Sequence, residues 1–374
     1  MPKRGENIHK RKDGRWEGRY RIFDGTEHHY RSIYGKSYRE VKIKMQNCLV
    51  GVENSHNSCQ DGVLFENILT QWIENNRIRQ KQATISKYEY IIQSHIAPDL
   101  GKLKVSAITA SIVNSFLNDK IKRGRLNGTG GLSPSYVQTM MLIIRSALKY
   151  AADEGLCMPL RSAIYKPVPI KRDLSILSHE EQFVLERFLL SEINSTKIGV
   201  YLSLHTGMRI GEVCGLSWED VDLTNGIIHV RHTAVRINNR DQFSDSATRL
   251  ILDSPKTKAS SRDIPISASL MKVLKAGNEQ TKSCFVISEN ASFVDPRTYD
   301  NRFHRLLNDC GIRQINYHAL RHTFATRCIE AGVDVKSLSE ILGHANVSIT
   351  LNTYVHSSIE MKRQQLEKLS KISA

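Results

Sequence analysis

The sequence lacks any apolar run of about 18 residues, the length that a membrane span needs. Its N-terminus also lacks the apolar core of a secretory signal. We therefore expect a soluble protein of the cytosol. The seven cysteines show no Cys-x-x-Cys spacing and lie at Cys48, Cys59, Cys157, Cys214, Cys284, Cys310 and Cys328. A dispersed, odd-numbered set is typical of reduced thiols and indicates neither a disulfide framework nor a zinc site.

Two patterns that would indicate a bound nucleotide or metal ion are incomplete. The glycine-rich segment 124–131 is not followed by Gly-Lys-Ser or Gly-Lys-Thr, which a phosphate-binding loop requires. His318 and His322 are four residues apart on a predicted helix, but Ala319 stands where the zinc-protease motif needs glutamate. We therefore expect neither a metal ion nor another cofactor.

Acidic residues are too few to balance the basic ones. The chain has 53 Lys and Arg against 38 Asp and Glu, a net charge of +15. Such an excess predicts a polyanionic partner, because phosphates neutralised by basic side chains release counterions and so favour binding. Residues 1–50 hold 13 Lys and Arg against 6 Asp and Glu, which is almost half of the excess. The alternative interpretation of residues 1–50 is a basic, solvated domain with no role in sequence recognition.

The basic N-terminal region has strand periodicity. Residues 16–23 alternate between an apolar face and a charged one, Asp24-Gly25 predicts a hairpin turn, and a third strand is predicted near residues 28–33. Ser37 and Glu40 predict a capping box for a helix through Leu49. We expect a three-stranded sheet with one helix over residues 1–50. Its candidate contacts to a polyanionic partner are Arg15, Arg19, Arg21 and Arg31.

A polar linker at residues 51–62 separates this sheet from an all-helical domain predicted at 63–158. Its four helices are expected near 64–73, 84–95, 110–123 and from Ser133-Pro134 to Gly155. A second linker, 159–172, contains Pro167 and Pro169. The 40% hydrophobic residues suffice for ordinary cores in two or three domains.

The last domain, predicted at residues 173–357, mixes helices and strands. Ser178 and Glu181 predict a capping box for its first helix. Strands are predicted at 227–230, at 235–237 and before Pro265, and the polar segment 238–248 lengthens a hairpin. The predicted fold class is thus multidomain α+β: a small N-terminal three-stranded sheet plus helix, an all-helical domain and a mixed, mainly helical domain. Residues 358–374 predict a tail helix.

Near the C-terminus, several polar residues lie at helical spacing or at the ends of predicted helices. His318 and Arg321 are three apart, so they share a helix face. Asp334 predicts the N-cap of a helix that ends at Leu342, with Gly343 in the C′ position and His344 directly after it.

A further predicted helix, capped by Ser348, carries Tyr354. Taken alone, His318 would be a partly buried histidine, Arg321 a salt-bridge partner and Tyr354 one of 13 tyrosines. A phenol close to an imidazole and a guanidinium is, however, what a covalent phosphotyrosine mechanism requires.

Two upstream segments complete the pattern. Thr206-Gly207-Met208-Arg209-Ile210-Gly211-Glu212 places a second arginine at a helix start, and Lys256 and Lys258 lie on a predicted β-turn. With an arginine box, a lysine turn, His-x-x-Arg, Leu-Gly-His and a terminal tyrosine in this order, residues 173–357 resemble the tyrosine recombinase family of phage and transposon integrases. The N-terminal sheet resembles the arm-type DNA-binding domain of some integrases, and residues 63–158 resemble their core-binding domain.

The resemblance assigns each residue a role in cleaving a phosphodiester. Tyr354 is the expected nucleophile, which forms a 3′-phosphotyrosine and frees a 5′-hydroxyl. The other expected roles are phosphate binding by Arg209 and Arg321, a further hydrogen bond from His344, the base at His318, the general acid at Lys256, orientation of the site by Glu212, and DNA contact at Lys258.

The resemblance therefore implies a site-specific recombinase of a mobile element, acting on double-stranded DNA at core and arm sites. We expect a monomer in solution that forms a homotetramer on DNA, together with accessory DNA-bending or excision factors, no membrane and no cofactor. A type IB topoisomerase-like enzyme and a non-catalytic DNA-binding regulator are the alternatives. The tail residues Ile359, Lys362, Leu366 and Leu369 have helical spacing that fits docking in cis or in trans. The target sequence and the balance of integration and excision stay open.

Overall fold

The computed structural model describes residues 7–11, 13–23, 28–45, 62–160, 162–168, 174–239, 246–255, 258–280 and 283–354. Four predicted features lie wholly or partly outside this part of the chain: Lys256, the tail 358–374, residues 51–61 of the linker predicted at 51–62, and the middle of the 238–248 segment. The chain forms two compact units, one made of Met1–Arg79 with Tyr88–Ile170 and the other of Gln80–Lys87 with Lys171–Ala374. The predicted domain boundaries at 50, 62, 158, 172 and 357 stay predictions.

The N-terminal sheet is antiparallel, in the order β1-β2-β3: Ile8–Lys10, Trp16–Phe23 and His28–Gly35. A helix, α1, follows and is described over residues 38–45. It packs on the apolar face of the sheet, where the ring of Trp16 meets Tyr38 edge-on at 5.4 Å and Val41 is buried. Burying this apolar face supplies the free energy that stabilises so small a sheet.

The helical region contains α2 (Phe65–Arg77), α3 (Gln82–Ile91), α4 (Ala110–Arg123) and α5 (Pro134–Asp153). After α3 the chain continues as wider π-type turns over Ile92–Gly101. The helix predicted near 84–95 therefore ended too early. The helical turns continue to Gly101, and Ile96 and Leu100 of this continuation are buried. Ser133 caps α5 as predicted, accepting a hydrogen bond from the Tyr136 amide.

The second unit is mainly helical, with two small sheets. Its helices are α6 (His179–Ser191), α7 (Ser195–Thr206), α8 (Ile210–Cys214), α9 (Ala268–Gln280), α10 (Pro296–Asp309), α11 (His318–Glu330), α12 (Val335–Leu342) and α13 (Val347–Tyr354). One antiparallel sheet joins β4 (Val221–Asp222), β5 (Ile227–Val230) and β8 (Arg262–Pro265); β6 (Thr233–Asn238) and β7 (Thr248–Asp253) form the hairpin that flanks the polar segment. The predicted α+β fold class is confirmed.

The core of this unit lies beneath α11. Leu320 is fully buried, and so are Val200 and Leu202 of α7. α7 therefore supports the inner face of α11, and its end turns at Gly207, whose φ of 67° is in the left-handed region that favours glycine. That turn leads directly to Arg209.

Helix caps set the positions of the C-terminal residues. Ser178 and Glu181 form the predicted capping box, and Asp334 accepts a hydrogen bond from the Ser337 amide at 2.9 Å. The prediction that Ser348 caps α13 is wrong, because the helix starts at Val347 and the side chain of Asn346 accepts from the Ser348 amide at 2.8 Å. Asn346 is therefore the N-cap of α13, and its side chain satisfies a free amide of the first turn.

None of the helices in the described part of the chain combines the length and apolar composition that a membrane span needs.

Candidate active site

Arg321 is at the centre of the site, in the first half of α11. Its side chain is only 2% exposed. The guanidinium donates to the carbonyls of Gly207 and Leu342, both at 2.8 Å, and so joins the end of α7 to the end of α12. Burial, and then the charge of Arg209, lower the pKa of Arg321 to about 9, so that it stays protonated at neutral pH. A buried, fixed guanidinium is preorganised for a phosphate.

Arg209 is held by Glu212 and stays accessible. Its guanidinium donates to Glu212 Oε1 at 2.8 Å and its backbone amide donates to Oε2 at 3.0 Å, while the arginine side chain is 36% exposed. These bonds fix Arg209 at the start of α8 with part of its surface open to a ligand. The predicted orienting role of Glu212 stays a prediction.

Arg262, which the sequence analysis did not assign, completes the network. Its guanidinium donates to both oxygens of Glu212, at 3.2 and 3.0 Å, and to the carbonyls of Ser260 and Ile341. Burial alone would raise the pKa of Glu212, but the charges of Arg262 and Arg209 hold it below its ordinary value. Glu212 is therefore ionised and balances the two guanidiniums.

His344 follows the left-handed turn at Gly343, where φ is 67°. Its Nε2 accepts from Arg321 Nη2 at 2.8 Å, because a guanidinium is only a donor. Its Nδ1 is 2.8 Å from the hydroxyl of Thr350 and therefore carries the proton. Burial and the charges of Arg321 and Arg209 lower the pKa of His344 to about 4, so the ring is neutral.

Tyr354 ends α13 and is buried, with 7% of its surface exposed. Its hydroxyl lies 2.8 Å from Nδ1 of His322. Burial raises the pKa of Tyr354. The charge of Arg321, a hydrogen bond from Arg321 and the charge of Arg209 act in the opposite direction but are outweighed. The phenol is thus protonated at neutral pH and close to both arginines.

His318 lies one turn before His322 on α11, and the two rings meet edge-on with centroids 4.6 Å apart. The surrounding protein, then His322 and Arg321, lower the pKa of His318 to about 4. The described contacts connect His318 to Tyr354 through His322. Its predicted role as the base stays a prediction.

Only the end of the predicted lysine turn belongs to the part of the chain that the structure describes. Lys256 is outside the described residues, and the chain resumes with a short helical turn at Lys258–Ser260. A Cβ added to Gly343 would meet the carbonyl of Ala259 at 3.0 Å, so the turn packs directly on the residue before His344. The predicted roles of Lys256 and Lys258 stay predictions.

The predicted DNA contacts of the N-terminal sheet are divided between its two faces. Arg19 pairs with Ser32 across the sheet, whereas Arg31, next to Ser32 on β3, lies on the opposite side. The reason is register, since neighbouring residues of a strand point to opposite sides. The side chain of Arg21 is outside the part of the chain that the structure describes.

Arg15 lies just before β2, with its guanidinium 5.8 Å from the centre of the Tyr34 ring. On the same face Glu17 is buried, and hydrogen bonds from Arg19, Ser32 and Arg11 lower its pKa to about 2. This ionised carboxylate holds the arginine side chains in place.

Among the described residues, no group of three or more His, Cys, Asp or Glu side chains is placed to hold a metal ion. His318 and His322, the pair considered for a metal, contact one another, and His322 also contacts Tyr354.

Sequence reasoning missed the functional positions of Arg262, His322 and Thr350. The only available signal for His322 was its place directly after Arg321, and Arg262 is 50 residues from Glu212, so no local spacing joins them.

Comparison with known proteins identifies the class. The model of the Phage integrase family matches residues 189–361, and that of the Phage integrase N-terminal SAM-like domain matches residues 64–121. A tyrosine recombinase XerC-like protein of Caldanaerobacter subterraneus is 27% identical over 365 aligned residues, which cover 91% of this chain and 91% of that protein.

Solved structures of two integrases have the same fold. The Tn1549 transposon integrase in complex with transposon right end DNA gives a TM-score of 0.67 at 22% identity, covering 82% of this chain and 100% of that one. A lambda integrase tetramer bound to a Holliday junction gives 0.57 at 17% identity, covering 96% and 99%. The fold is therefore that of the tyrosine recombinase integrases. Residues 189–361, which contain the site, thus belong to the Phage integrase family.

Proposed function

We propose that this protein is a site-specific DNA recombinase of a mobile element, which cleaves and rejoins DNA strands through a 3′-phosphotyrosine bond to Tyr354. The observation that carries the proposal is the position of the Tyr354 hydroxyl, buried beside the fixed guanidinium of Arg321 and within the field of Arg209. Two cations beside the nucleophile can stabilise the negative charge that develops on a phosphodiester during attack.

Each of the other site residues has a proposed role in the reaction. Arg209 and Arg321 bind the non-bridging oxygens, because a planar guanidinium donates two parallel hydrogen bonds and stays charged. Lys256 protonates the leaving 5′-oxygen. His344 donates a further hydrogen bond to the phosphate. Because its Nε2 is an acceptor without DNA, that nitrogen takes up a proton from solvent when the negatively charged phosphate binds. The covalent bond retains the energy needed for rejoining, so the proposed reaction uses no cofactor.

The DNA partner is double-stranded, with core sites at the catalytic and helical regions and arm sites at the N-terminal sheet. The similar lambda integrase forms a tetramer on a Holliday junction, which supports a homotetramer of this chain on DNA, assembled from monomers. Accessory DNA-bending or excision factors and a cytosolic location belong to the same proposal.

The test is incubation with a suicide duplex, nicked so that the cleaved fragment diffuses away, followed by denaturing electrophoresis. We expect a protein-DNA adduct, and strand exchange when two intact core sites are supplied. Relaxation of supercoils without exchange would indicate a topoisomerase-like enzyme. Binding without any adduct would indicate a regulator.

Replacing Arg19 by alanine should weaken binding to arm-site DNA and flatten its salt dependence. Each phosphate contact contributes roughly 0.9 units to the slope of log affinity against log salt concentration. The matched control is Lys44→Ala, because Lys44 is on α1 and pairs with Glu40. Equal slopes for Arg19→Ala and the wild type, measured by fluorescence titration, would show that Arg19 contacts no phosphate.

Replacing Arg262 by alanine should destabilise the protein by about 3 kcal/mol or more, because it leaves Glu212 buried with one partner lost. Chemical denaturation measures this free energy of unfolding. Arg236→Ala is the control, since Arg236 is 42% exposed where it pairs with Asp295 and such a pair contributes under about 1 kcal/mol. Similar losses in the two variants would contradict the network described for Arg262.

A further inference from the structure

The phenol of Tyr354 needs a proton acceptor, and the structure places one against it. Because burial raises the pKa of Tyr354, the hydroxyl keeps its proton at neutral pH, and a neutral phenol is a weak nucleophile. Nδ1 of His322 lies 2.8 Å from the hydroxyl, with the two rings inclined by 50°. This distance is within the range over which a general base takes a proton.

His322 is positioned by its own helix. It directly follows Arg321, whose side chain is held by the carbonyls of Gly207 and Leu342, so α11 has little freedom to rotate the imidazole away. His318, one turn earlier, touches the ring of His322 and not the phenol. Of the two histidines on this face, His322 is therefore the one in contact with the reacting oxygen.

We propose that His322 is the catalytic base that accepts the phenolic proton of Tyr354 when its oxygen attacks the scissile phosphorus. This inference rests on the proposed function. The bond from Tyr354 Oη to phosphorus forms, the bond from phosphorus to the 5′-oxygen breaks, and the phenolic proton moves to His322 Nδ1. The departing oxygen takes its proton from Lys256 and becomes a 5′-hydroxyl. Rejoining reverses both transfers.

The groups around His322 keep Nδ1 free to accept. Burial and the charge of Arg321 lower the pKa of His322, so its ring is neutral at neutral pH. The groups that face it are His318 and Arg321 from α11 and Tyr354 from α13, while His344, after α12, is held by Arg321.

An imidazolium next to Arg321 is unfavourable until a compensating negative charge arrives. The pentacoordinate phosphorus carries that charge, so proton transfer becomes favourable only with DNA in the site. The free enzyme therefore keeps its nucleophile protonated.

The test compares His322→Asn with His318→Asn in single-turnover cleavage of the suicide duplex, with an oxygen or a sulfur at the 5′-bridging position. Asparagine places an acceptor close to the position of Nδ1 but takes up no proton. We expect His322→Asn to bind the duplex normally and to cleave it about 10²- to 10⁴-fold more slowly. Sulfur should not restore the rate, because the missing proton transfer is at the nucleophile and not at the leaving group.

The pH dependence separates a base from a group that only holds the phenol. Wild-type cleavage should be constant near neutral pH and fall as pH drops through the lowered pKa of His322, because the protonated ring accepts nothing. In His322→Asn the rate should instead rise about tenfold per pH unit, since the phenol must ionise by itself. Added imidazole should partly restore cleavage by His322→Ala.

Three results would overturn the assignment. A slow His322→Asn enzyme with the wild-type pH profile would mean that His322 only positions the phenol. Sulfur rescue of this variant would place the defect at the leaving group. A changed profile in His318→Asn alone would make His318 the base. Absence of an adduct from the wild-type protein would instead reject the proposed function itself.

Discussion

Tyr354→Phe binds core-site DNA with wild-type affinity and forms no covalent adduct. The substitution removes one oxygen atom, the only one that the proposed reaction joins to phosphorus. Removing the nucleophile of a covalent enzyme lowers the rate by about 10⁶-fold, so the expected yield is below detection. Because the ring stays in its buried position, the fold and the contacts of α13 should persist. Denaturing electrophoresis of the suicide-duplex reaction measures the adduct, and a mobility shift measures binding.

The control for losing a buried hydroxyl is Tyr299→Phe. Tyr299 is fully buried, and its hydroxyl donates to the carbonyl of Thr196 on α7 at 2.6 Å. This variant should lose about 1 kcal/mol of stability and keep its adduct. An adduct of normal yield from Tyr354→Phe would reject Tyr354 as the nucleophile.

The second large effect is expected at the lysine turn. Lys256→Ala should cleave ordinary DNA very slowly, yet cleave DNA with a 5′-bridging sulfur at close to the wild-type rate. The reason is the leaving group: an alkoxide, whose conjugate acid has a pKa near that of water at about 16, needs a proton in the transition state. A thiolate, with a conjugate acid near about 8.5, does not.

Lys258→Ala is the matched control, two residues further along the same turn. It should lose DNA binding and show no sulfur rescue, because its proposed role is contact with DNA. If sulfur rescues Lys258→Ala and not Lys256→Ala, the general acid is Lys258. If sulfur rescues neither variant, the acid lies outside the turn.

Local signals predicted much of the fold around the site. The spacing of His318 and Arg321, the cap at Asp334 and the left-handed turn at Gly343 are each decided within a few residues, and the structure has all three. The three-stranded N-terminal sheet was predictable for the same reason, since a period of two specifies a strand with one covered face.

Contacts between distant segments were not predictable. His322 meets Tyr354 only because α13 folds back onto α11, 32 residues later. The role of Arg262 depends on the pairing of β8 with β5, which carries its side chain to Glu212. The side of the sheet on which Arg31 lies depends on the register of β2 and β3. These contacts are set by tertiary packing, and helix caps and hydrophobic periodicity carry no information about it.

The central claim is a phosphotyrosine bond at Tyr354, and mass spectrometry of the trapped adduct tests it most directly. The wild-type protein is incubated with the suicide duplex, the complex is digested with nuclease and protease, and the peptides that carry a nucleotide are sequenced. The prediction is a nucleotide joined through its 3′-phosphate to Tyr354. A nucleotide on another residue, or one joined through its 5′-phosphate, would contradict it.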